Sequence, residues 1–126
     1  MLPAAVVAGT LSGVPSTLQA VATGRPVLGA TRAAGELLGR PGLRRGVLAH
    51  SIIALAWTNL LAVVLPRRHT AAWGAVGGLA IASLDLTIAD RWFPTIAALP
   101  RLSQVADHIA FGALVGAVVA QRRRTP

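Results

Sequence analysis

Residues 103–120 read SQVADHIAFGALVGAVVA, and QRRR (121–124) follows at once. A helical stretch of about 18 predominantly apolar residues is long enough to cross a bilayer core. Arginines directly behind such a stretch are typical of a span that stops at the lipid headgroups. The pattern therefore predicts a membrane-spanning α-helix. It also raises a question, because Asp107 and His108 lie inside that helix, where ionisable groups are costly.

Three further apolar blocks precede this one, and the four together cover residues 2–23, 47–65, 71–89 and 103–120. The 126-residue chain is 54% hydrophobic and only 13% charged, with a mean hydropathy of +0.63, outside the usual soluble range. Backbone amides in lipid must be satisfied within their own segment, so each block is expected to be helical. The sequence predicts one all-α domain over residues 1–126, a four-helix transmembrane bundle.

The first block contains Pro15, which removes one helical hydrogen bond and predicts a kink. The AVA triplet at 20–22 resembles a signal-peptidase site, but no basic segment precedes the apolar run and a proline interrupts it. A kinked or re-entrant first helix is therefore favoured, and cleavage is the alternative.

The connection 24–46 contains RPVLGATRAAGELLGRPG (25–42), in which Arg32, Glu36 and Arg40 follow at i, i+4 spacing. Such residues can pair along one helical face, while Val27 and Leu28 are among the apolar residues available to other faces. The segment predicts a short amphipathic helix in the membrane interface between spans 1 and 2, ended by the PG at 41–42. A solvated helical loop is the alternative.

The basic excess consists of twelve arginines and no lysine, for a formal net charge of +8. The arginines lie at the ends of the apolar blocks, which favours lipid headgroups as their partners over nucleic acid. In a four-span topology, seven arginines share a side with the loops 24–46 and 90–102, and five lie on the other side. This weakly favours cytoplasmic loops, and the near balance also permits insertion in both orientations. The absence of cysteine excludes disulfides and thiolate chemistry.

Three spans carry a GxxxG motif, the small-residue pattern that allows membrane helices to approach closely. On the third helix the small-residue face continues to Asp85, and on the fourth it begins at His108. Asp107 lies about 100° away on that helix and is expected to face a neighbour, headgroups or a second subunit. The glycines predicted to pack are Gly9, Gly13, Gly74, Gly78, Gly112 and Gly116.

Four ionisable residues, Asp85, His108, Asp107 and His50, are expected in one leaflet, near the loop side. One interpretation is an interhelical clamp between Asp85 and His108; the other is a water-accessible vestibule that relays protons. No HxxxH or HxxE pair places two metal ligands on one helical face, and no GxSxG, HExxH or phosphate-binding glycine loop occurs. We therefore expect no metal, no cofactor and no enzyme activity.

Four short spans resemble the small multidrug transporters in size and topology, although those carry a glutamate in the first span and this chain has no acid there. HIAFGALVGAVVA (108–120), GVPST (13–17) and ATRAAGELLG (30–39) look like uncharacterised four-span inner-membrane proteins of actinobacteria. The resemblance implies a small protein of the bacterial inner membrane and transfers no activity. The polar cluster that would clamp its helices leads us to expect a structural or accessory role. A proton-coupled small-molecule or ion transporter acting as an oligomer is the alternative. Expected partners are the lipid bilayer and a second copy or another membrane protein, and not nucleic acid.

Overall fold

The computed structural model describes residues 1–126, which form helices connected by short turns and include no strand. Four segments are long and apolar enough to cross a membrane: Leu2–Thr23, Leu43–Val64, Thr70–Trp92 and Arg101–Arg124. The first consists of α1 (Leu2–Leu11) and α2 (Val14–Thr23), and the other three are α4, α5 and α7. The connections hold α3 (Gly29–Ala34), a 3-10 turn (Gly35–Leu38) and α6 (Pro94–Ala97).

The helices of the last three spans run beyond their apolar blocks. Helix α4 begins at Leu43, α5 continues to Trp92 and α7 ends at Arg124, each outside the predicted range. Hydropathy marks only the part of a helix that suits hydrocarbon. The backbone hydrogen bonds continue further, because arginine stems can lie along the apolar surface while the charged heads reach water.

The first span is interrupted where the sequence predicts a kink. Helix α1 ends at Leu11, and α2 begins at Val14 with Pro15 in its first turn. Proline has no N–H group to donate to the preceding turn but is well tolerated at a helix start. The interruption therefore divides the span into two helices of ten residues each.

Helix α7 contacts the other three spans, and its longest contact is with α5. Helices α1 and α4 pack against each other and against α7. Arg123 near the C-terminal end of α7 reaches the last turn of α4, so these two helices run parallel. The buried apolar core runs along this arrangement and contains Ala8, Ala54, Leu61, Leu65, Ile81, Phe111, Val115 and Val119. Trp57 packs against it, as expected for a tryptophan within a span.

The α5–α7 contact is backbone against backbone. A Cβ atom built on Gly74 would overlap the Gly112 carbonyl oxygen, and one on Gly78 would overlap the His108 carbonyl oxygen. From the other helix, a Cβ on Gly116 would lie 2.8 Å from the Ala71 Cα. Only glycine permits this separation, so the small-residue faces of α5 and α7 determine how closely and in what register they pack.

The connection between spans 1 and 2 differs from its prediction. Glu36 forms no ion pair with Arg32 or Arg40, so the predicted i, i+4 pairing is wrong. Helix α3 ends at Ala34, and Glu36 lies in the 3-10 turn, from which Oε2 accepts the backbone N–H groups of Thr95 (2.9 Å) and Ile96 (3.2 Å). The carboxylate thus caps the start of α6, which lies in a distant loop. It binds there because α6 offers two aligned N–H donors, whereas an arginine on the same segment would offer one mobile guanidinium.

Two ends of the helix assembly are distinguished from here on. The loop end contains residues 24–42 and 93–100, and there Arg101 donates to both oxygens of Asp90. The arginine end contains residues 65–69 and 121–126. At this end, Arg123 donates to the carbonyl oxygens of Ala62 (2.9 Å) and Leu65 (3.1 Å), beyond which α4 stops. Those carbonyls have no helical donor, and the guanidinium satisfies them.

Candidate functional site: polar groups within the spans

The four ionisable residues expected together lie in the halves of their helices nearest the loop end. Asp107 and His108 are neighbours on α7, and His108 lies within ion-pair distance of Asp85 on α5. The structure therefore places the four in one half of the helix assembly, and of them only Asp85 and His108 contact each other. Their individual contacts differ, and two of them engage the break in the first span.

His50 on α4 contacts the end of α1. Its Nε2 atom lies 2.8 Å from the Gly9 carbonyl oxygen, and because a carbonyl only accepts, Nε2 carries the hydrogen. Gly9 makes room for this contact, since a Cβ built there would lie 3.6 Å from Nε2 and 3.3 Å from the Ala54 Cβ. Gly9 is one of the carbonyls that lose their partner when α1 stops at Leu11. His50 thus acts as a C-terminal cap supplied by another helix.

Asp107 on α7 contacts the beginning of α2. Its Oδ1 atom accepts the backbone N–H of Ser16 at 2.9 Å. In an unbroken helix this N–H would donate to the residue four positions earlier, Ser12. Here Ser16 is in the first turn of α2, where N–H groups have no helical acceptor. Asp107 therefore faces a neighbouring helix, one of the directions open to it from the sequence, and acts as the N-terminal cap of α2.

The two caps match the polarity of the helix ends that they meet. The C-terminal end of a helix carries partial negative charge and suits a donor such as His50, while the N-terminal end carries partial positive charge and suits a carboxylate such as Asp107. Lipid offers no water to satisfy an open backbone group, so each orphan group in the break would cost several kcal/mol if left unpaired. The two side chains make an interrupted span compatible with the interior of a membrane.

Asp85 and His108 meet across the α5–α7 contact. The Nε2 atom of His108 lies 3.4 Å from Oδ2 of Asp85, and the side chains are 22% and 29% exposed. The Nδ1 atom of the same ring is 2.7 Å from the Gln104 carbonyl oxygen and must carry a hydrogen. Nε2 then approaches the carboxylate favourably only when a further proton lies on the imidazole or on the carboxylate. The pair is thus a position where one proton can be held.

A cavity of about 260 Å³ opens at the loop end between α2, α3, α6 and the start of α7. Its lining includes Ser16 and Gln104, whose backbone groups bind Asp107 and His108 respectively. Asp85 and His50 do not line it. The cavity therefore reaches the residues that bind Asp107 and His108, but not the two ionisable side chains themselves. No three His, Asp or Glu side chains converge as a metal ion would require.

The six glycines expected to pack behave differently. Gly74, Gly78, Gly112 and Gly116 form the α5–α7 contact, and Gly9 lies against α4. Gly13 does not pack against another helix, because a Cβ there would meet only the Thr10 carbonyl of its own segment, at 4.0 Å. It is instead the N-cap residue of α2, and its role comes from the break, which a GxxxG pattern cannot reveal.

Sequence reasoning missed three contributors. It did not identify the Ser16 N–H or the Gln104 carbonyl, which are main-chain groups without a side-chain signature. It also missed Gly46, where a Cβ would overlap the Thr31 carbonyl, so that α3 lies directly on the first turn of α4. Only the Ser16 N–H could have been found from the sequence. Pro15 predicts a break in the helix, and the N–H groups next to a break need a new acceptor.

The arrangement can do two things chemically: it can satisfy the backbone of a broken span, and it can hold a proton between Asp85 and His108. Both depend on side chains that lie in one half of the helices and act together. Comparison with protein-family models, with curated proteins and with solved structures finds no match to this chain.

Proposed function

We propose that this chain is a small multi-pass protein of the bacterial inner membrane with a structural or accessory role. One observation carries the proposal. The ionisable side chains within the spans are engaged with helix ends or with each other, as His50 is with Gly9, Asp107 with Ser16, and Asp85 with His108. Side chains that make such contacts stabilise the packing of the helices. A stable helix assembly that presents apolar surface to lipid is suited to act as a binding partner or scaffold in the membrane.

In this proposal the four spans form a bundle around α7, with the lipid bilayer as first partner. Large apolar side chains point away from the protein along the spans, for example Val63 at 82% exposure. Trp73 and Trp92, at opposite ends of α5, are 52% and 65% exposed, as expected of rings at the two interfaces. The segment 27–38, which contains α3 and the 3-10 turn, lies in the interface, with exposed Val27, Leu28 and Leu38 directed towards lipid. A second copy or another membrane protein would pack on the remaining apolar surface.

The clamp is tested by substitution at its two ends. Asp85→Asn and His108→Ala should each lower the free energy of unfolding in detergent by about 1 kcal/mol, the scale of polar contacts between membrane helices. Asp90→Asn is the matched control, since it removes one carboxylate from an exposed pair whose contribution is small. Equal stability of all four proteins would contradict a clamp.

The second candidate is a proton-coupled transporter of a small molecule or ion. The cavity at the loop end favours it, because its lining reaches Ser16 and Gln104, next to the two titratable groups of α7. In proteoliposomes with an imposed pH gradient, the wild-type protein should then carry protons. Asp85→Asn and His108→Ala should abolish the flux while leaving the helical circular dichroism intact. Loss of stability without any wild-type flux favours the structural role, and flux lost in folded variants favours the transporter.

A further inference from the structure

A second cavity, of about 530 Å³, lies at the arginine end, between the start of α5 and the end of α7. Its volume is within the range of about 300–1,000 Å³ that small-molecule sites occupy. Its charged lining consists of Arg67, Arg123 and Arg124, together with His69. The cavity thus gathers three guanidinium groups, and nothing in the proposed function uses them.

No acidic side chain balances the charge of this cavity. The four acidic residues of the chain, Glu36, Asp85, Asp90 and Asp107, all belong to the loop end or to the halves of the spans nearest it. Arg67 and Arg124 form no ion pair, and no side-chain hydrogen bond fixes either one.

Arg123 differs from its neighbours because it is held in place. Two of its nitrogen atoms donate to the carbonyl oxygens at the end of α4, which fixes the guanidinium plane and leaves its remaining N–H groups free. The first turn of α5 closes another wall, with Ala71 and Ala72 in the lining. As second and third residues of α5, they have N–H groups without a helical acceptor.

We propose that this cavity binds a phosphate group. Guanidinium groups match the geometry and charge of phosphate oxygens, and the cavity lies beside the ends of three spans, at the depth of lipid headgroups. The same chemistry is offered by the headgroup of an anionic phospholipid and by free phosphate from the aqueous side. The proposal is independent of the structural or transport role.

The test compares two double variants with the same net charge. Arg67→Gln with Arg124→Gln removes two arginines from the cavity. Arg68→Gln with Arg122→Gln removes two exposed arginines from the same end that do not line it. Arg123 is left unchanged in both, because its loss would also disturb α4. Circular dichroism should be the same in both variants and the wild type.

Two probes distinguish the sources of the phosphate. Native mass spectrometry after release from nanodiscs of phosphatidylcholine with increasing phosphatidylglycerol measures retained anionic lipid. Titration calorimetry of the protein in a neutral detergent measures binding of inorganic phosphate. We expect the cavity variant to weaken binding roughly tenfold or more, the effect of losing charge-assisted hydrogen bonds, and the control variant to bind like the wild type.

Each result decides the proposal. Phosphatidylglycerol retained by the wild type and control but lost by the cavity variant supports a lipid headgroup site. Inorganic phosphate bound with the same dependence on the variants, without preferential lipid retention, supports a site for a soluble anion. Equal weakening in both variants would show only a diffuse positive field and would overturn the proposal, as would the absence of binding in the wild type.

Discussion

Replacing Asp107 by alanine should destabilise the protein locally at the break in the first span. The Ser16 N–H loses its only observed acceptor, and an unsatisfied buried donor costs about 1–3 kcal/mol. Side-chain hydrogen bonds between membrane helices average about 0.6 kcal/mol and reach about 1.7. Since Ser16 is part-buried, we expect a loss of about 1–2 kcal/mol. Asp107→Asn keeps an acceptor oxygen and loses only the charge at the helix end, so it should cost less than about 1 kcal/mol.

The measurement is reversible unfolding of the purified protein in mixed micelles, titrated with SDS and followed by circular dichroism and tryptophan fluorescence. Amide hydrogen exchange over residues 14–20 adds a local readout, because the loss should appear as faster exchange at the start of α2. Asp90→Ala is the control, an acid removed from an exposed ion pair with Arg101, where the expected change is about 0–1 kcal/mol.

Two outcomes would refute this reasoning. If Asp107→Ala unfolds at the wild-type SDS concentration and α2 keeps its protection, the carboxylate does not stabilise the break. If Asn costs as much as Ala, the hydrogen bond to Ser16 contributes nothing, and only the charge of Asp107 matters.

Two further predictions use the same titration. Gly112→Ala places a methyl group against the backbone of α5 and should cost about 2–3 kcal/mol by overpacking. Gly13→Ala, in another GxxxG motif, meets open space and changes only the N-cap of α2, so it should cost less than about 1 kcal/mol. Equal effects would contradict the assigned contact. Arg123→Gln removes the guanidinium donors that satisfy the end of α4. It should cost about 1 kcal/mol and speed amide hydrogen exchange in the last turn of α4, while Arg122→Gln should be neutral. Unchanged amide exchange in both variants would show that the contact does not stabilise α4.

Much of the fold could be predicted from the sequence, because it rests on properties of single segments. Hydropathy locates the four helices long enough to cross a membrane, and Pro15 locates the interruption of the first. The glycines of α5 and α7 predict the closest helix pair, since a face without side chains is visible in the spacing alone. The approach of His108 to Asp85 follows from the same faces, because both residues continue them.

The partners of the isolated charges could not be predicted. Glu36 was expected to pair with arginines at helical spacing and instead binds two N–H groups about 60 residues away. Asp107 had several possible neighbours, and its partner is again a main-chain N–H. Spacing rules compare side chains on one helix. The partners here are backbone N–H groups that lack a helical acceptor, and such groups occur only where a helix begins or ends. Their positions depend on the complete packing.

The charged contacts that the chain makes with helix ends share one physical rule. Asp107 and Glu36 are carboxylates at helix beginnings, and His50 and Arg123 are donors at helix ends, so each side chain opposes the partial charge of the terminus it meets. In every case the cap is supplied by a different part of the chain, which ties two segments together as well as satisfying the backbone. A sequence with four acidic side chains thus uses two of them to make irregular helix ends compatible with its surroundings.

The exposed ion pair of Asp90 with Arg101 also lies outside this rule, but among the half-buried groups of the spans the exception is Asp85 with His108. Neither side chain meets a helix terminus, and α5 and α7 are already held in register by four glycines. Capping therefore explains why Asp107 and His50 lie within the spans. It does not explain why Asp85 lies there. If any residue within the spans exchanges protons with the loop-end cavity, this pair is the one whose position has no other complete explanation. Asp85→Asn is consequently the variant that separates the two proposed functions most sharply. The structural role predicts a loss of stability of about 1 kcal/mol, and the transporter predicts a loss of proton flux in a protein that the glycine contact keeps folded.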